Sequence, residues 1–247
     1  MELFYLPQGT INPDSSFVTI DGDAFHHLVR VLRKREGEQI HVTDGAGLCA
    51  SIRIEQIGKE QLSGLLLACE RQSPPATRVT IALSLLKAPH RFDFFLEKAT
   101  ELGVDGIIPL LTERTVVRVK QERNKAKLER WQSIILAAAR QSRRYYLPVL
   151  EPPATFRQLL ARTDFDSRLI PYELSSNPPL FACAGKRLLF LVGGEGGFSD
   201  AEVTEAVTAG FQPISFGKSI LRAETAAIFA MASVRSRLLS EHSGVWL

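Results

Sequence analysis

The chain has 247 residues, 45% of them hydrophobic and 23% charged. This composition excludes a disordered or collagen-like protein, and at roughly 150 residues per domain the length allows one large domain or two smaller ones. The net charge of +3 is too small to argue for a nucleic-acid partner, so the placement of charge matters more than its sum.

The opening MELFYLPQGT puts Glu2 and Pro7 inside any apolar core, and no signal peptide is expected. Short alternating runs at 17–20, 39–43, 50–57 and 62–69, broken at Asp44-Gly45 and Gly58, predict a small β-rich unit. One helix interrupts it near Asp23. Phe25, Leu28, Val29 and Leu32 fall on its buried face, which turns Arg30 and Arg33 outward. The run Ser73-Pro74-Pro75 punctuates the chain, and a domain boundary is placed between 72 and 73.

Beyond it, expected strands at 79–86, 106–111, 167–172, 187–192 and 213–216 alternate with helices, the rhythm of a mostly parallel sheet covered on both faces. The first of these helices buries Phe92, Phe95, Leu96, Ala99 and Leu102 at helical spacing and stops at Gly103. A helix over 125–142 gathers Trp131, Ile134, Ile135, Ala138 and Ser142 on one face, with Arg140, Arg143 and Arg144 away from it. Ser199 and Glu202 make a capping box for a helix over 199–210. The last helix, 224–241, is so apolar at 226–231 that burial nearly all round is expected, as a second subunit would supply. No segment approaches the ~20 apolar residues of a membrane span.

Charge is concentrated in two places. Between Thr112 and Tyr146 ten bases (Arg114, Arg118, Lys120, Arg123, Lys125, Lys127, Arg130, Arg140, Arg143 and Arg144) face three acids, and four more (Arg30, Arg33, Lys34 and Arg35) stand between His26 and Arg35 without one. Solvated helix faces carry such runs too. Two basic stripes on an otherwise acidic chain are the footprint of a phosphate-backbone binder.

Several chemistries are disfavoured. Cys49, Cys69 and Cys183 form no CxxC pair, which argues against a redox or zinc motif and for a reducing, cytoplasmic compartment. The histidines (His26, His27, His41, His90 and His242) make no HExxH or HxH, so no metal is expected. No GxSxG elbow exists. Gly217-Lys218-Ser219 looks like the end of a P-loop, but Gln212 stands where its first glycine belongs. The informative segments are LLFLVGGEGGFS (188–199), a buried strand running into four glycines and a capped helix, and SFGKSILRAETAAIFAMAS (215–233). A strand ending in such a loop builds a ligand crevice in open α/β sheets.

Taken in order, HHLVRVLR (26–33), LLK (85–87), EKATELGV (97–104), TERTVV (112–117), ARQSRR (139–144), VGGEGGFS (192–199) and FGKSILRAETA (216–226) span nearly the whole chain. With these motifs it resembles the RsmE family of SPOUT-class 16S rRNA methyltransferases. The resemblance implies a PUA-like β-barrel over 1–72 that grips RNA, then a SPOUT α/β domain over 73–247 with a trefoil knot. Knots are exceptions to ordinary fold rules, so that expectation rests on the resemblance. It further implies S-adenosylmethionine as cofactor, a homodimer, and methylation of N3 of a uridine, position 1498, in 16S rRNA of the 30S subunit. The implied cofactor residues are Ile170, Pro171, Tyr172 and Glu173, then Leu191, Val192, Gly193, Gly194, Gly196 and Gly197, then Phe216, Gly217, Ile220, Leu221, Thr225 and Ala226. RNA contacts are expected at His26, Arg30, Arg33, Lys34, Arg140, Arg143 and Arg144. Two positions depart from the family pattern: Gly194 replaces a usual proline in GPEGG, and Ser219 replaces a usual arginine before Ile-Leu-Arg.

Uridine N3 is a weak acid, and its methylation asks for a carboxylate to take the proton and a cation to steady the developing charge. Glu195 or Glu224 is expected in the first role and Arg222 in the second. Two other readings share the fold: a SPOUT enzyme acting on another base or a ribose 2′-hydroxyl, and a non-catalytic RNA-binding protein. Retention of Glu195, Arg222 and Glu224 beside the glycine loop argues against the last.

Overall fold

A computed structural model of the chain describes residues 3–114, 121–175 and 186–241, the side chains of 121–124 and 241 excepted. Of the residues singled out above, Glu2, Thr115, Val116 and Val117 of TERTVV, Arg118, Lys120, Cys183 and His242, with the side chain of Arg123, lie outside the described residues. The chain packs as two units. One runs to Pro74 and takes in Ala139–Leu147; the other comprises Pro75–Ala138 and Pro148–Leu247. The sequence expectation has one cut, at 72/73, and assigns 139–147 to the second unit. A basic stretch at a helix end says nothing about which core it docks on.

The first unit contains β1 (Leu3–Tyr5), β2 (Phe17–Asp21), α1 (Gly22–Phe25), a π-helical turn His26–Val31, β3 (Gln39–Thr43), β4 (Leu48–Ile57) and β5 (Gln61–Arg71). The strands form one sheet in the order β1-β3-β4-β5-β2. β1 runs parallel to β3 and the other pairs are antiparallel. Among the described residues the ladder ends at β1 and β2, and no strand pairing between those two edges closes the expected barrel. Period-2 alternation sends Val18, Ile20, Ile40, Val42, Ile52, Ile54 and Leu62 into one core, joined by Phe25 and Leu28. The expected single helix is a short α-turn widened into a π-turn, with Leu32 N–H donating to His27 O at 3.0 Å. The wider turn leaves Val29 and Leu32 only partly buried.

The returning segment 139–147 lies along the β3–β4 end of this sheet. Gly47 N–H donates to Tyr145 O and Leu147 N–H to Gly45 O, both at 2.9 Å, while the Tyr146 hydroxyl donates to Gln72 O at 2.7 Å. Gly47 makes the approach possible. Its φ is +94°, and a Cβ there would sit 2.2 Å from the Tyr146 hydroxyl oxygen.

The second unit contains β6 (Arg78–Ser84), α2 (Pro89–Glu101), β7 (Gly106–Leu111), α3 (Gln121–Gln141), β8 (Val149–Leu150), β9 (Ala154–Thr155), α4 (Phe156–Leu160), β10 (Ser167–Pro171), β11 (Arg187–Val192), α5 (Asp200–Thr208), β12 (Gln212–Ile214) and α6 (Ala223–Glu241). The seven strands among its described residues are all parallel, in the order β12-β10-β11-β6-β7-β8, with β9 beside β7. Alternate residues point to opposite faces. Ile81, Leu83, Ile107, Leu188 and Phe190 pack with α2, α3 and α6, whereas Ala82, Ile108, Leu110, Leu189 and Leu191 pack with α4 and α5. Strands buried on both faces explain the near-continuous apolar runs. On helix α6, Ala227, Ala230, Met231 and Val234 are buried within this chain, while Phe229 is 43% exposed, on the side that the sequence expectation gives to a second subunit.

Candidate functional site

Because the strands of the second unit are parallel, their carboxyl ends share one edge, where such sheets hold ligands. The three loops named from the sequence leave that edge from β10, β11 and β12, joined by the loops after β6 and β7. Ile170 is buried and Pro171 half-buried. Tyr172 N–H donates to Ile214 O at 2.9 Å, tying the first loop to the third. The Tyr172 hydroxyl donates to Asp200 Oδ1 at 3.0 Å. That bond, reinforced by partial desolvation and the nearby Asp200 and Glu173 charges, raises the phenol above its ordinary value and keeps it protonated.

Leu191 and Val192 end β11 in the core. The glycines that follow fold back on themselves, with Gly197 N–H donating to Gly194 O at 3.0 Å. A Cβ on Gly193 would meet the Gly197 backbone carbon at 3.0 Å, and one on Gly194 would meet Ser84 Oγ at 3.1 Å. Neighbouring loops clasp this turn. Lys87 N–H donates to Glu195 Oε1 at 3.0 Å, and Arg114 Nη1 donates to Gly196 O at 2.6 Å. Ser84, Leu85, Lys87, Thr112, Arg114 and Glu195 line a cleft of about 70 Å³ against the glycines.

The capping box forms as read: Ser199 Oγ accepts from Glu202 N, and Ser199 N–H donates to Glu202 Oε2 at 2.9 Å. Buried Glu202 also accepts Glu113 N–H at 2.9 Å, and the Ser199 hydroxyl donates to Glu113 Oε2 at 3.0 Å. A helix cap thus fixes the β7 loop that carries Arg114.

In the third loop Phe216 meets Phe229 edge-on at 5.0 Å. Gly217 faces open space, Ile220 is 90% exposed, and Leu221 and Ala226 are half-buried. Arg222 is exposed, and its carbonyl accepts Ala226 N–H at 2.8 Å to start α6. Glu224 is buried, its Oε1 3.8 Å from Arg91 Nε of α2. Among the described residues no hydrogen bond or ion pair joins Glu195, Arg222 and Glu224 to one another. Lys87 and Arg91 received no role from the sequence and Arg114 only a place in the basic stripe, although Lys87 and Arg114 stand inside two of the quoted motifs.

The expected RNA contacts gather in the first unit. His26, Arg30, Arg33 and Arg143 are exposed. Lys34 is half-buried and paired with Glu38 at 3.3 Å. Arg140 is half-buried, its Nε enclosed without a hydrogen-bond partner among the described residues. The Arg144 carbonyl accepts the Tyr5 hydroxyl, whose own pKa burial pushes up to about 12.

Arg33 and Arg143 share a further property: each has φ +55°, and no other non-glycine residue described has positive φ. Arg143 holds the C′ position of α3, with Arg144 N–H donating to Ala139 O and its own N–H to Arg140 O, a place usually filled by glycine. An L-residue there costs about 1–2 kcal/mol, partly offset by its smaller unfolded-state entropy. Arg33→Gly and Arg143→Gly should each raise unfolding free energy by about 0.5–1 kcal/mol. Each should also lower the slope of log RNA affinity against log salt by about one unit. Chemical denaturation and filter binding at several salt concentrations measure the pair; an unchanged slope would return both side chains to the solvated surface.

Comparison with known proteins extends the geometry. Residues 72–235 match the RNA methyltransferase domain family and residues 20–67 the RNA methyltransferase PUA domain family. Ribosomal RNA small subunit methyltransferase E of Synechocystis sp. is 36% identical over 90% of this chain and 74% of its own length. The Bacillus subtilis protein of the same name is 32% identical over 87% and 88%. The crystal structure of a ribosomal RNA small subunit methyltransferase E from Neisseria gonorrhoeae bound to S-adenosyl methionine superposes with a TM-score of 0.84. It is 31% identical, covering 96% of this chain and 98% of that one. The chain belongs to the ribosomal RNA small subunit methyltransferase E family, the RsmE family.

Proposed function

We propose that this chain transfers a methyl group from S-adenosylmethionine to N3 of uridine 1498 in 16S rRNA of the 30S subunit. The observation that carries the reading is the set of three loops at one edge of the parallel sheet. There Gly193 and Gly194 pack without side chains and Gly217 leaves open space, the kind of cradle an adenosyl group needs. Ile170 to Glu173, Leu191 to Gly197 and Phe216 to Ala226 would hold the cofactor, within a chain path that carries the family's trefoil knot. The bound sulfonium supplies an electrophilic methyl group.

The protein's own part is proton removal and charge stabilisation. Glu195 lies at the cleft, one oxygen fixed by Lys87 N–H, which leaves the second to take the N3 proton. Glu224 is turned to Arg91 and positions the start of α6. Exposed Arg222 meets the uracil carbonyl oxygens as the nitrogen becomes anionic. In this reading 1–72, joined by the returning segment 139–147, grips RNA through His26, Arg30, Arg33, Lys34, Arg140, Arg143 and Arg144, and the rest of 73–247 carries the chemistry. The protein works in the cytoplasm as a homodimer; exposed Phe229 and Ile220 suit a subunit contact. No helix among the described residues is long and apolar enough to cross a membrane.

The test is tritiated methyl transfer to 30S subunits lacking the modification, followed by nuclease digestion and mass spectrometry. Label in 3-methyluridine is the expected result. Label in another nucleoside, or none despite tight RNA binding, would replace this reading with one of its two alternatives.

A further inference from the structure

The first unit holds a second cavity, of about 230 Å³. Its wall is built from His41 of β3, Cys49 and Ser51 of β4, and Ala68 and Glu70 of β5, and Tyr145 of the returning segment closes one side. His41 and Ser51 alternate with core residues Ile40, Val42 and Ile52, so they belong to the opposite face of the sheet. Polar groups converge there. His41 Nδ1 lies 3.0 Å from Ser51 Oγ, and the Cys49 thiol donates to Glu70 Oε1 at 3.5 Å.

The chemistry narrows the occupant. Burial, helped by the bond to Glu70, pushes the Cys49 thiol up to about 11, so it is neutral and a poor nucleophile. Desolvation and the neighbouring Cys49 and Glu70 likewise raise the Tyr145 phenol. Among the described residues that line it, Glu70 is the carboxylate and none is a lysine or arginine. An anion meets no cationic side chain among these residues and would face the Glu70 carboxylate. A neutral ring with N–H donors has several: the Glu70 carboxylate, the Ser51 hydroxyl, the imidazole of His41 and an aromatic neighbour in Tyr145. The cations stand outside, on the same short segment, where Arg143 is exposed two residues before Tyr145.

We propose that this cavity takes one unpaired nucleobase of bound RNA, its flanking phosphates held by the arginines of 139–147. The inference rests on the reading that the chain binds RNA, and it adds a base-reading pocket to an otherwise electrostatic grip. Unstacked bases received by aromatic and hydrogen-bonding side chains are the usual means of single-strand RNA recognition.

Ala68 is exposed and pairs across the strands with Ser51, so Ala68→Phe fills the mouth without touching the core. Its affinity for unmodified 16S rRNA should fall about tenfold, with the salt slope unchanged because phosphate contacts persist. Should that variant unfold, the wild-type chain gives an independent reading. Each nucleoside 5′-monophosphate, titrated separately, should shift the His41 ring resonances, and ribose 5-phosphate should not. RNA affinity of folded Ala68→Phe within twofold of wild type, or equal shifts from ribose 5-phosphate, would overturn the pocket. Absence of 3-methyluridine alongside a weakened Ala68→Phe complex would instead overturn the methylation reading and leave the pocket standing.

Discussion

Glu195→Gln is expected to slow single-turnover methyl transfer by roughly 10²–10⁴-fold, the usual contribution of a positioned general base. The substitution is nearly isosteric, and its amide oxygen can still accept Lys87 N–H, which the carboxylate accepts at 3.0 Å. The glycine turn and the cleft therefore survive, and only the proton acceptor is lost. Cofactor affinity, measured by calorimetry, should stay within about threefold, well under the 1.4 kcal/mol that a tenfold change represents. Glu224→Gln should behave differently. It leaves Arg91 half-buried without its carboxylate, so it should lower the melting temperature as well as the rate. If Glu195→Gln keeps near-wild-type rates while Glu224→Gln loses them in a folded protein, the two roles must be exchanged. Arg222→Ala should depress the rate without altering stability, since the side chain is exposed and among the described residues makes no ion pair.

The second large effect concerns stability. Gly47→Ala should cost about 3 kcal/mol of unfolding free energy, combining left-handed backbone strain with loss of a hydrogen bond. The new methyl would lie 2.2 Å from the Tyr146 hydroxyl oxygen at a backbone φ of +94°, and the Tyr146 bond to Gln72 O would have to break. Denaturant unfolding of Gly47→Ala, Tyr146→Ala and the double variant separates these parts. Removing the ring abolishes the clash, so the double variant should be less destabilised than the sum of the singles by more than about 1 kcal/mol. Strict additivity would show that the segment does not bear on Gly47.

Elements with strong periodic signals are legible in the sequence. The bounds of β3, β7 and β11 coincide with the apolar runs, because a strand buried on one or both faces writes its period directly into the residues. Ser199 and Glu202 likewise announce their cap, since both partners lie within four residues. Other features left no such trace. β1, β8 and β9 have two or three residues each, too few to show a period, and they exist because longer neighbours offer an edge. The clasps from Lys87 to Glu195 and from Arg114 to Gly196 span 108 and 82 residues, and no local pattern encodes which loops meet. The apolar stretch 226–231 of α6 predicts burial nearly all round, but small apolar residues suit a core and a surface alike, and only packing shows which side chains this chain covers itself and that Phe229 is left exposed. The glycine loop stands out in the residues themselves and the resemblance carried the family; Arg91, the half-buried partner of Glu224, needed the fold.

The interleaving of the two units also sets a timetable for synthesis. The first unit is missing its last piece until Leu147 has been made. That is roughly 70 residues after Pro74, or several seconds at bacterial elongation speeds of about 5–20 residues per second. During that interval the face lined by His41, Ser51 and Glu70 stands uncovered outside the ribosome, and β6, α2 and β7 emerge before it is closed. A ribosome stalled near residue 110 should therefore display a sheet that proteases nick and amide exchange finds open, and one stalled well past 180 should not.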